Sequence, residues 1–152
     1  MTGWRLGWLV APSALVRPID KLAQNIFLAP PTIAQHAALA AFSEATIDLL
    51  EQRRLEFQQR RDFLLPALRQ IGFNISVNPQ GAFYLYADCS EFTDDSFSFC
   101  QRLLEKAGVA ITPGADFGAN NPNKFVRFAY TTSMENLEEG VHRIQSFLKS
   151  AH

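Results

Sequence analysis

The sequence predicts an α/β chain that ends in a small α+β domain, in which three or four strands of a mixed or antiparallel sheet are covered by two helices. Apolar residues recur at helical spacing up to residue 71. After Gly72 the pattern changes to short alternating segments, followed by two further helical segments. The chain contains 13 phenylalanines, which are sufficient to fill the core of such a sandwich.

Residues 1–49 are expected to form a helical arm. Within it, residues 6–10 predict a short buried strand that ends at Pro12. Pro18 is expected near the start of a first helix, and Ala-Pro-Pro at residues 29–31 either terminates or precedes a helix. A second helix is predicted by a face of small residues that permits close packing. Its members are Ile33, Ala37, Ala40, Ala41 and Ala45.

Residues 50–71 predict one long helix that connects the arm to the C-terminal domain. One apolar stripe consists of Phe57, Leu64, Leu68 and Ile71. The intervening polar residues indicate a solvated face, made of Arg53, Arg54, Gln58, Gln59 and Arg60. Pro66 removes a backbone donor and is expected to kink this helix.

Residues 72–152 are expected to form the small domain, which opens with a hairpin. Alternation predicts one strand at residues 74–78 and another at residues 82–87, joined through Pro-Gln-Gly at residues 79–81. The loop at residues 115–124 is rich in Gly and Asn. It is either mobile and beside a pocket or an ordinary surface turn.

Two amphipathic helices are predicted in this domain. The first runs from residue 95 to 107, with Thr93 or Asp94 as cap and Gly108 at its end. Its inward residues are expected to be Phe97, Cys100, Leu103, Leu104 and Ala107. The second follows Thr-Ser-Met-Glu at residues 132–135, which resembles a capping box. Its buried stripe is expected to be Leu137, Val141, Ile144 and Leu148.

Composition argues against several classes of function. The 14 Lys and Arg residues are balanced by 15 Asp and Glu residues, giving a formal net charge of −1 and no basic stripe for nucleic acid. Apolar runs are too short to span a bilayer, and the first residues lack a secretory signal pattern. Neither a nucleic-acid nor a membrane partner is therefore expected.

No metal site is expected from the cysteines and histidines. Cys89 and Cys100 belong to no Cys-x-x-Cys motif and to no dense disulfide pattern, so both are predicted to be free thiols. His36, His142 and His152 show no zinc-like spacing with them. His36 and His142 are interpreted as structural or surface residues.

Arg127 is the charged residue that is predicted to need an anionic partner. Residues 109–112 and 125–130 predict two more strands, and in the second the side chains of Phe125, Arg127 and Ala129 share one face. A charge among apolar neighbours needs an anion. From the residues alone, that anion is either an internal carboxylate such as that of Asp116 or an external ligand.

Four landmarks in order connect these elements to a known family. Residues 1–8 contain Gly-Trp-Arg-Leu-Gly, and residues 79–84 read Pro-Gln-Gly-Ala-Phe-Tyr. Residues 108–118 contain Pro-Gly-x-x-Phe-Gly after an apolar run, and residues 125–129 read Phe-Val-Arg-Phe-Ala. Together they resemble the C-terminal part of fold-type I, class I and II pyridoxal-phosphate aminotransferases. The stretches Gly-Ala-Phe-Tyr-Leu-Tyr-Ala-Asp at residues 81–88 and Phe-Thr-Asp-Asp-Ser-Phe-Ser-Phe-Cys at residues 92–100 resemble those of members similar to aspartate aminotransferase.

The resemblance assigns roles to two arginines. Arg5 corresponds to the arginine that binds the cofactor phosphate, and a planar guanidinium suits a phosphate well. The glycines at positions 3 and 7 would let the backbone pass close to a ligand. Without the family, Arg5 beside two tryptophans could equally be a stacked structural arginine. Arg127 corresponds to the arginine that grips the substrate α-carboxylate.

The resemblance also implies what the chain lacks and what surrounds it. No catalytic residue is assigned, because the lysine that holds pyridoxal 5'-phosphate is expected upstream of Met1, and the chain alone is expected to be inactive. Residues 1–49 would be a remnant of the large cofactor-binding domain that carries part of a dimer interface. The complete enzyme would be a cytoplasmic homodimer acting on amino acids and 2-oxo acids. A non-catalytic α+β binding or oligomerisation module is the alternative.

Overall fold

A computed structural model describes residues 1–150, which divide into two compact units. The first unit spans residues 1–53 and the second begins at Arg54. Each unit is described separately below. No helix within the described range is long and apolar enough to cross a membrane.

The first unit is helical. A 3-10 turn at Thr2–Trp4 is followed by α1 (Ser13–Ile26) and α2 (Thr32–Ala41), so both predicted helices are present. Pro18 lies inside α1 instead of at its start. The strand predicted at residues 6–10 is wrong: these residues form no strand, and Val10 is 89% exposed. A strand needs a paired backbone, and none of the described residues pairs with this segment.

The long helix α3 (Glu44–Ile71) begins before the predicted residue 50 and continues without interruption through Pro66. Its buried side chains include Leu64 and Leu68, as predicted, and also Leu65. The other two members of the predicted stripe, Phe57 and Ile71, are partly buried against the same core.

Three antiparallel strands form the sheet of the second unit, as predicted. They are β1 (Tyr84–Asp88), β2 (Thr112–Pro113) and β3 (Phe125–Ala129), in the order β1-β3-β2. In the register, Tyr86 of β1 and Thr112 of β2 both lie opposite Arg127 of β3. The strand β2 is shorter than the strand that the sequence predicts at residues 109–112.

The first strand of the predicted hairpin is wrong except for one bridge, which pairs Asn74 with Asp88. Beyond it the backbone is held by an arginine of α3. Arg69 donates from Nε to the carbonyl of Ile75 at 3.1 Å and from Nη2 to Oδ1 of Asn78 at 2.8 Å. The guanidinium of Arg69 therefore occupies a backbone carbonyl that would otherwise accept a hydrogen bond from a neighbouring β-strand.

The helix α4 (Ser96–Ala107) is capped by Asp95, not by Thr93 or Asp94. The Oδ1 atom of Asp95 accepts hydrogen bonds from the backbone N–H groups of Phe97 and Ser98, at 3.0 and 3.3 Å. The hydroxyl of Ser98 also donates to Asp95, and these bonds lower the pKa of this carboxyl. Gly108, at φ 65°, closes the helix as predicted.

The inward face of α4 differs from the predicted one. Phe99 is fully buried with Cys100 and Leu103, whereas Phe97 is 63% exposed and Leu104 is also exposed. The buried face of α4 consists of Ser96, Phe99, Cys100 and Leu103, and Phe97 lies outside it. The rings of Phe99, Phe92 and Phe128 all lie within 6.4 Å of the ring of Phe73, measured between centroids.

The last helix, α5 (Met134–Ser150), has the predicted stripe, with Leu137 and Ile144 buried and Val141 and Leu148 partly buried. Its cap differs slightly from the predicted box. The backbone N–H of Asn136 donates to Oγ of Ser133 at 3.4 Å, while its side chain donates to Thr132. A hydrogen bond with Ser133 lowers the pKa of Glu135.

Both cysteines are free and buried, which confirms the predicted thiols. Burial raises the pKa of Cys89 to about 12 and that of Cys100 to about 11. His36 and His142 are exposed, and His152 lies outside the described residues. Within residues 1–150 no three His, Cys, Asp or Glu side chains are grouped as metal ligands would be.

Candidate carboxylate-binding site

Arg127 lies in the middle of β3, on the face of the sheet that points away from the core. Its neighbours Val126 and Phe128 are buried in the core, whereas Arg127 itself is half-buried. Tyr84 and Tyr86 of β1 lie on the same outer face, because alternate residues of a strand share a face and Tyr86 is the cross-strand partner of Arg127.

Two aromatic rings and one hydroxyl surround the guanidinium of Arg127. Its Cζ atom lies 4.5 Å from the ring centroid of Phe117 and 5.5 Å from that of Tyr84, both within cation–π range. Its Nη2 group donates to Oγ1 of Thr112 at 3.4 Å. The three contacts come from three different segments, since Tyr84 is in β1, Thr112 in β2 and Phe117 in the loop that follows.

The internal salt bridge to Asp116 that the residues alone allowed is wrong. Within residues 1–150, no carboxylate lies at ion-pair distance from Arg127. The Nε–H group of Arg127 is buried and has no hydrogen-bond partner. A buried donor without an acceptor is costly, at about 1–3 kcal/mol. The described residues thus provide no acceptor for this donor.

Further aromatic contacts hold the outer face of the sheet in place. The ring of Tyr86 stacks on that of Phe125, with centroids 5.0 Å apart and planes 8° apart. The same ring meets Phe117 edge-on, at 6.1 Å and 89°. Burial is the main cause that raises the pKa of Tyr86, so its phenol is protonated at neutral pH.

Gly114 allows the loop after β2 to pass close to these rings. A Cβ atom at this position would lie 2.4 Å from the carbonyl oxygen of Pro122, 2.8 Å from that of Phe125 and 2.9 Å from the hydroxyl of Tyr86. The hydroxyl of Ser96 donates to the same carbonyl of Pro122 at 3.1 Å. Residues 115–124 are therefore held at both ends, where the chain forms short 3-10 turns.

An open apolar depression of about 350 Å³ adjoins the Arg127 site. It shares Tyr84 and Tyr86 with that site, and its other apolar walls come from Ile75, Val77, Pro79 and Phe125. The sequence did not predict this depression, nor the contacts of Thr112 and Phe117 with Arg127. The landmarks Gly-Ala-Phe-Tyr and Pro-Gly-x-x-Phe-Gly nevertheless contain Tyr84 and Phe117, so the signal was present in the sequence.

Arg5, the other arginine singled out in the sequence, belongs to the first unit. Its side chain is exposed and its φ is 56°, a left-handed conformation that is uncommon for a residue other than glycine and is often associated with functional sites. Cβ atoms built on Gly3 and Gly7 would meet nothing within 4 Å. The ring of Trp8 packs against that of Phe42, with centroids 5.6 Å apart.

Comparison with known proteins shows the class of protein. Residues 1–144 match the family model of aminotransferase class I and II. The chain belongs to this family. Among curated relatives, valine–pyruvate aminotransferase of Mycobacterium tuberculosis is 42% identical over 150 residues, and aspartate aminotransferase of Geobacillus stearothermophilus is 40% identical over 157. Each match covers 99% of this chain.

Solved structures agree with this assignment. An aminotransferase from Mycobacterium tuberculosis has a TM-score of 0.90 at 42% identity, and an aromatic aminotransferase from Pyrococcus horikoshii OT3 has a TM-score of 0.85 at 34% identity. Both matches cover 99% of this chain, and 39% and 40% of the respective solved chains. The chain likewise spans 39% and 38% of the two curated relatives.

The close approach at Gly114 leads to a stability prediction. Replacing Gly114 with Ala forces Cβ against two backbone carbonyls, and we expect the free energy of unfolding to fall by about 1–3 kcal/mol. Gly140→Ala is the matched control, because Gly140 lies inside α5 with open space around it. That change should raise stability by about 0.5–1 kcal/mol. Urea unfolding measures both, and equal midpoints for the two variants would contradict the predicted clash at Gly114.

Proposed function

We propose that this chain is part of a pyridoxal-phosphate-dependent aminotransferase, which transfers an amino group between an amino acid and a 2-oxo acid. The observation that carries the proposal is the buried, unpartnered Nε–H of Arg127 in a site with no internal carboxylate. The proposed contribution of this chain is binding, with Arg127 assigned to the substrate carboxylate and Arg5 to the cofactor phosphate.

Arg127 is the residue proposed to bind the substrate α-carboxylate. A guanidinium is planar and permanently charged, so two of its N–H groups can bond both oxygens of a carboxylate at once. The hydrogen bond to Thr112 fixes one end of the group, and the aromatic neighbours keep it on the outer face of the sheet. A carboxylate would complete the hydrogen bonding of Nε, which no described residue does.

No particular amino acid is proposed as the substrate. Relatives at similar identity are named for valine and pyruvate, for aspartate and for aromatic substrates. The side chains of these compounds differ in size and charge, and their shared chemical feature is the α-carboxylate. Arg127 is proposed to bind that α-carboxylate.

Arg5 is proposed to bind the cofactor phosphate. Its exposed side chain and its left-handed backbone are consistent with a residue that binds a ligand. When bound, pyridoxal 5'-phosphate supplies the electron sink that stabilises negative charge at the substrate α-carbon. Arg5 would hold the cofactor through its phosphate group.

The proposal places the lysine that binds the cofactor in a part of the complete enzyme that this chain does not span. Residues 1–49 would belong to the cofactor-binding domain, residues 50–71 to the connecting helix and residues 72–152 to the small domain. The complete enzyme would be a cytoplasmic homodimer. The apolar residues of the first unit support contact with further protein, because α1 has no buried residue within the described chain.

The role of Arg127 is tested by its affinity for a small carboxylate. Arg127→Gln removes the charge and leaves a shorter polar side chain, and we expect the dissociation constant for pyruvate to rise about 10-fold or more. Backbone amide NMR shifts in β3 would report pyruvate binding. Arg143→Gln, which removes an exposed arginine paired with Glu139, should leave the affinity unchanged. Equal losses in both variants would contradict a specific site.

A second experiment asks whether the chain alone can form the covalent link to the cofactor. Pyridoxal phosphate is mixed with the purified chain and treated with borohydride, and bound label is located by mass spectrometry. We expect no stoichiometric label on Lys21, Lys106, Lys124 or Lys149, because none lies in a landmark of the family. A single lysine labelled at one equivalent would overturn the proposal that the reactive lysine lies elsewhere.

A third experiment concerns self-association. Leu22 and Ile26 are exposed apolar residues of α1, so the chain is expected to form dimers or larger species as concentration rises. Changing both residues to Lys should shift the distribution measured by light scattering toward the monomer. Val77→Lys, at an exposed apolar residue of the second unit, should not. A strict monomer at high concentration would contradict the expectation.

A further inference from the structure

We propose that Phe117 and Tyr84 are positioning residues that hold the guanidinium of Arg127 ready for a carboxylate, in place of an internal acidic partner. The inference rests on the proposed role of Arg127 and adds to it the means by which the charge is kept available. The rings lie 4.5 and 5.5 Å from its Cζ atom.

The charge of Arg127 is compensated by aromatic rings. A half-buried cation needs compensation, and in most structures a nearby Asp or Glu provides it. Such a carboxylate would occupy the N–H groups that a ligand needs. The faces of aromatic rings attract a cation without accepting its in-plane hydrogen bonds. Aromatic contacts therefore stabilise the charge of Arg127 without pairing its Nε–H group, which has no hydrogen-bond partner.

The two rings lie outside the hydrophobic core. Phe117 is 45% exposed and Tyr84 is 37% exposed, so neither belongs to the buried cluster that stabilises the second unit. The inner face of the sheet supplies that cluster through residues such as Leu85 and Val126. Two large aromatic residues on the outer face need another reason, and their shared contact is with Arg127.

Contacts with neighbouring residues fix the positions of both rings. Phe117 follows the turn at Gly114, where its backbone N–H donates to the Gly114 carbonyl at 2.9 Å, and its ring meets Tyr86 edge-on. The ring of Tyr84 meets that of Phe83 edge-on, with centroids 5.6 Å apart. Each ring therefore has a second contact that limits its motion. The guanidinium is held in a defined position before any ligand arrives, which lowers the cost of binding.

The experiment uses the complete 152-residue chain labelled with ¹⁵N-arginine. The Nε–H resonance of Arg127 is assigned by its loss in Arg127→Lys, and its exchange with water is compared with that of exposed Arg143. We expect exchange at Arg127 to be at least about tenfold slower, because the group is buried. Phe117→Leu should remove most of this protection, whereas Phe117→Tyr, which keeps a ring, should change the rate less than about twofold.

Titration with pyruvate gives the second measurement on the same samples. Phe117→Leu should raise the dissociation constant about threefold to tenfold, as expected for loss of one desolvated cation–π contact. Tyr84→Leu should act in the same direction, and Tyr84→Phe should have little effect because the ring remains. Since both rings are partly exposed, urea midpoints are expected to stay close to that of the unchanged chain.

The outcomes separate the two proposals. If pyruvate binds the unchanged chain but Phe117→Leu and Tyr84→Leu leave both exchange and affinity unchanged, the positioning role is wrong and the role of Arg127 stands. If pyruvate does not bind the unchanged chain, the proposed carboxylate site fails, and the positioning role fails with it whatever the exchange rates. A loss of affinity that follows ring removal but not ring-preserving substitution supports both.

Discussion

The position of β3 between β1 and β2 is the constraint on which the candidate site depends. This register places Val126 and Phe128 in the core and Arg127 on the opposite face. A shift by one residue would exchange the two sets of side chains and bury the guanidinium among apolar residues. The core therefore sets the register, and the register brings Tyr86 and Thr112 to the two sides of Arg127.

Two arginines of the second unit show how local acceptors decide the role of a charge. Arg69 has the Ile75 carbonyl and the Asn78 amide oxygen within hydrogen-bond distance, and it holds an irregular segment in place. Arg127 has a single hydroxyl and two rings. Both carry the same charge, but Arg69 bonds two acceptors of its own chain, whereas the Nε–H group of Arg127 has no acceptor among the described residues.

Periodic features were predictable from the sequence, and features that depend on one tertiary contact were not. β3 and the stripe of α5 follow from spacing alone. The segment 74–78 has the alternation of a strand, but Arg69 takes its carbonyl, and this competitor cannot be seen in a local pattern. The site arginine was found from its neighbours and from the resemblance. Its aromatic partners come from distant segments, which only the folded sheet brings together.

The burial of Cys89 and Cys100 affects how the protein can be labelled. Thiolate is the form that reacts with maleimides and disulfides, and with pKa values near 12 and 11 these two side chains carry almost none of it at neutral pH. Both are also shielded from solvent. A cysteine introduced on the surface of the chain would thus be the reactive one, so fluorophores or spin labels can be attached without first removing the native sulfhydryls.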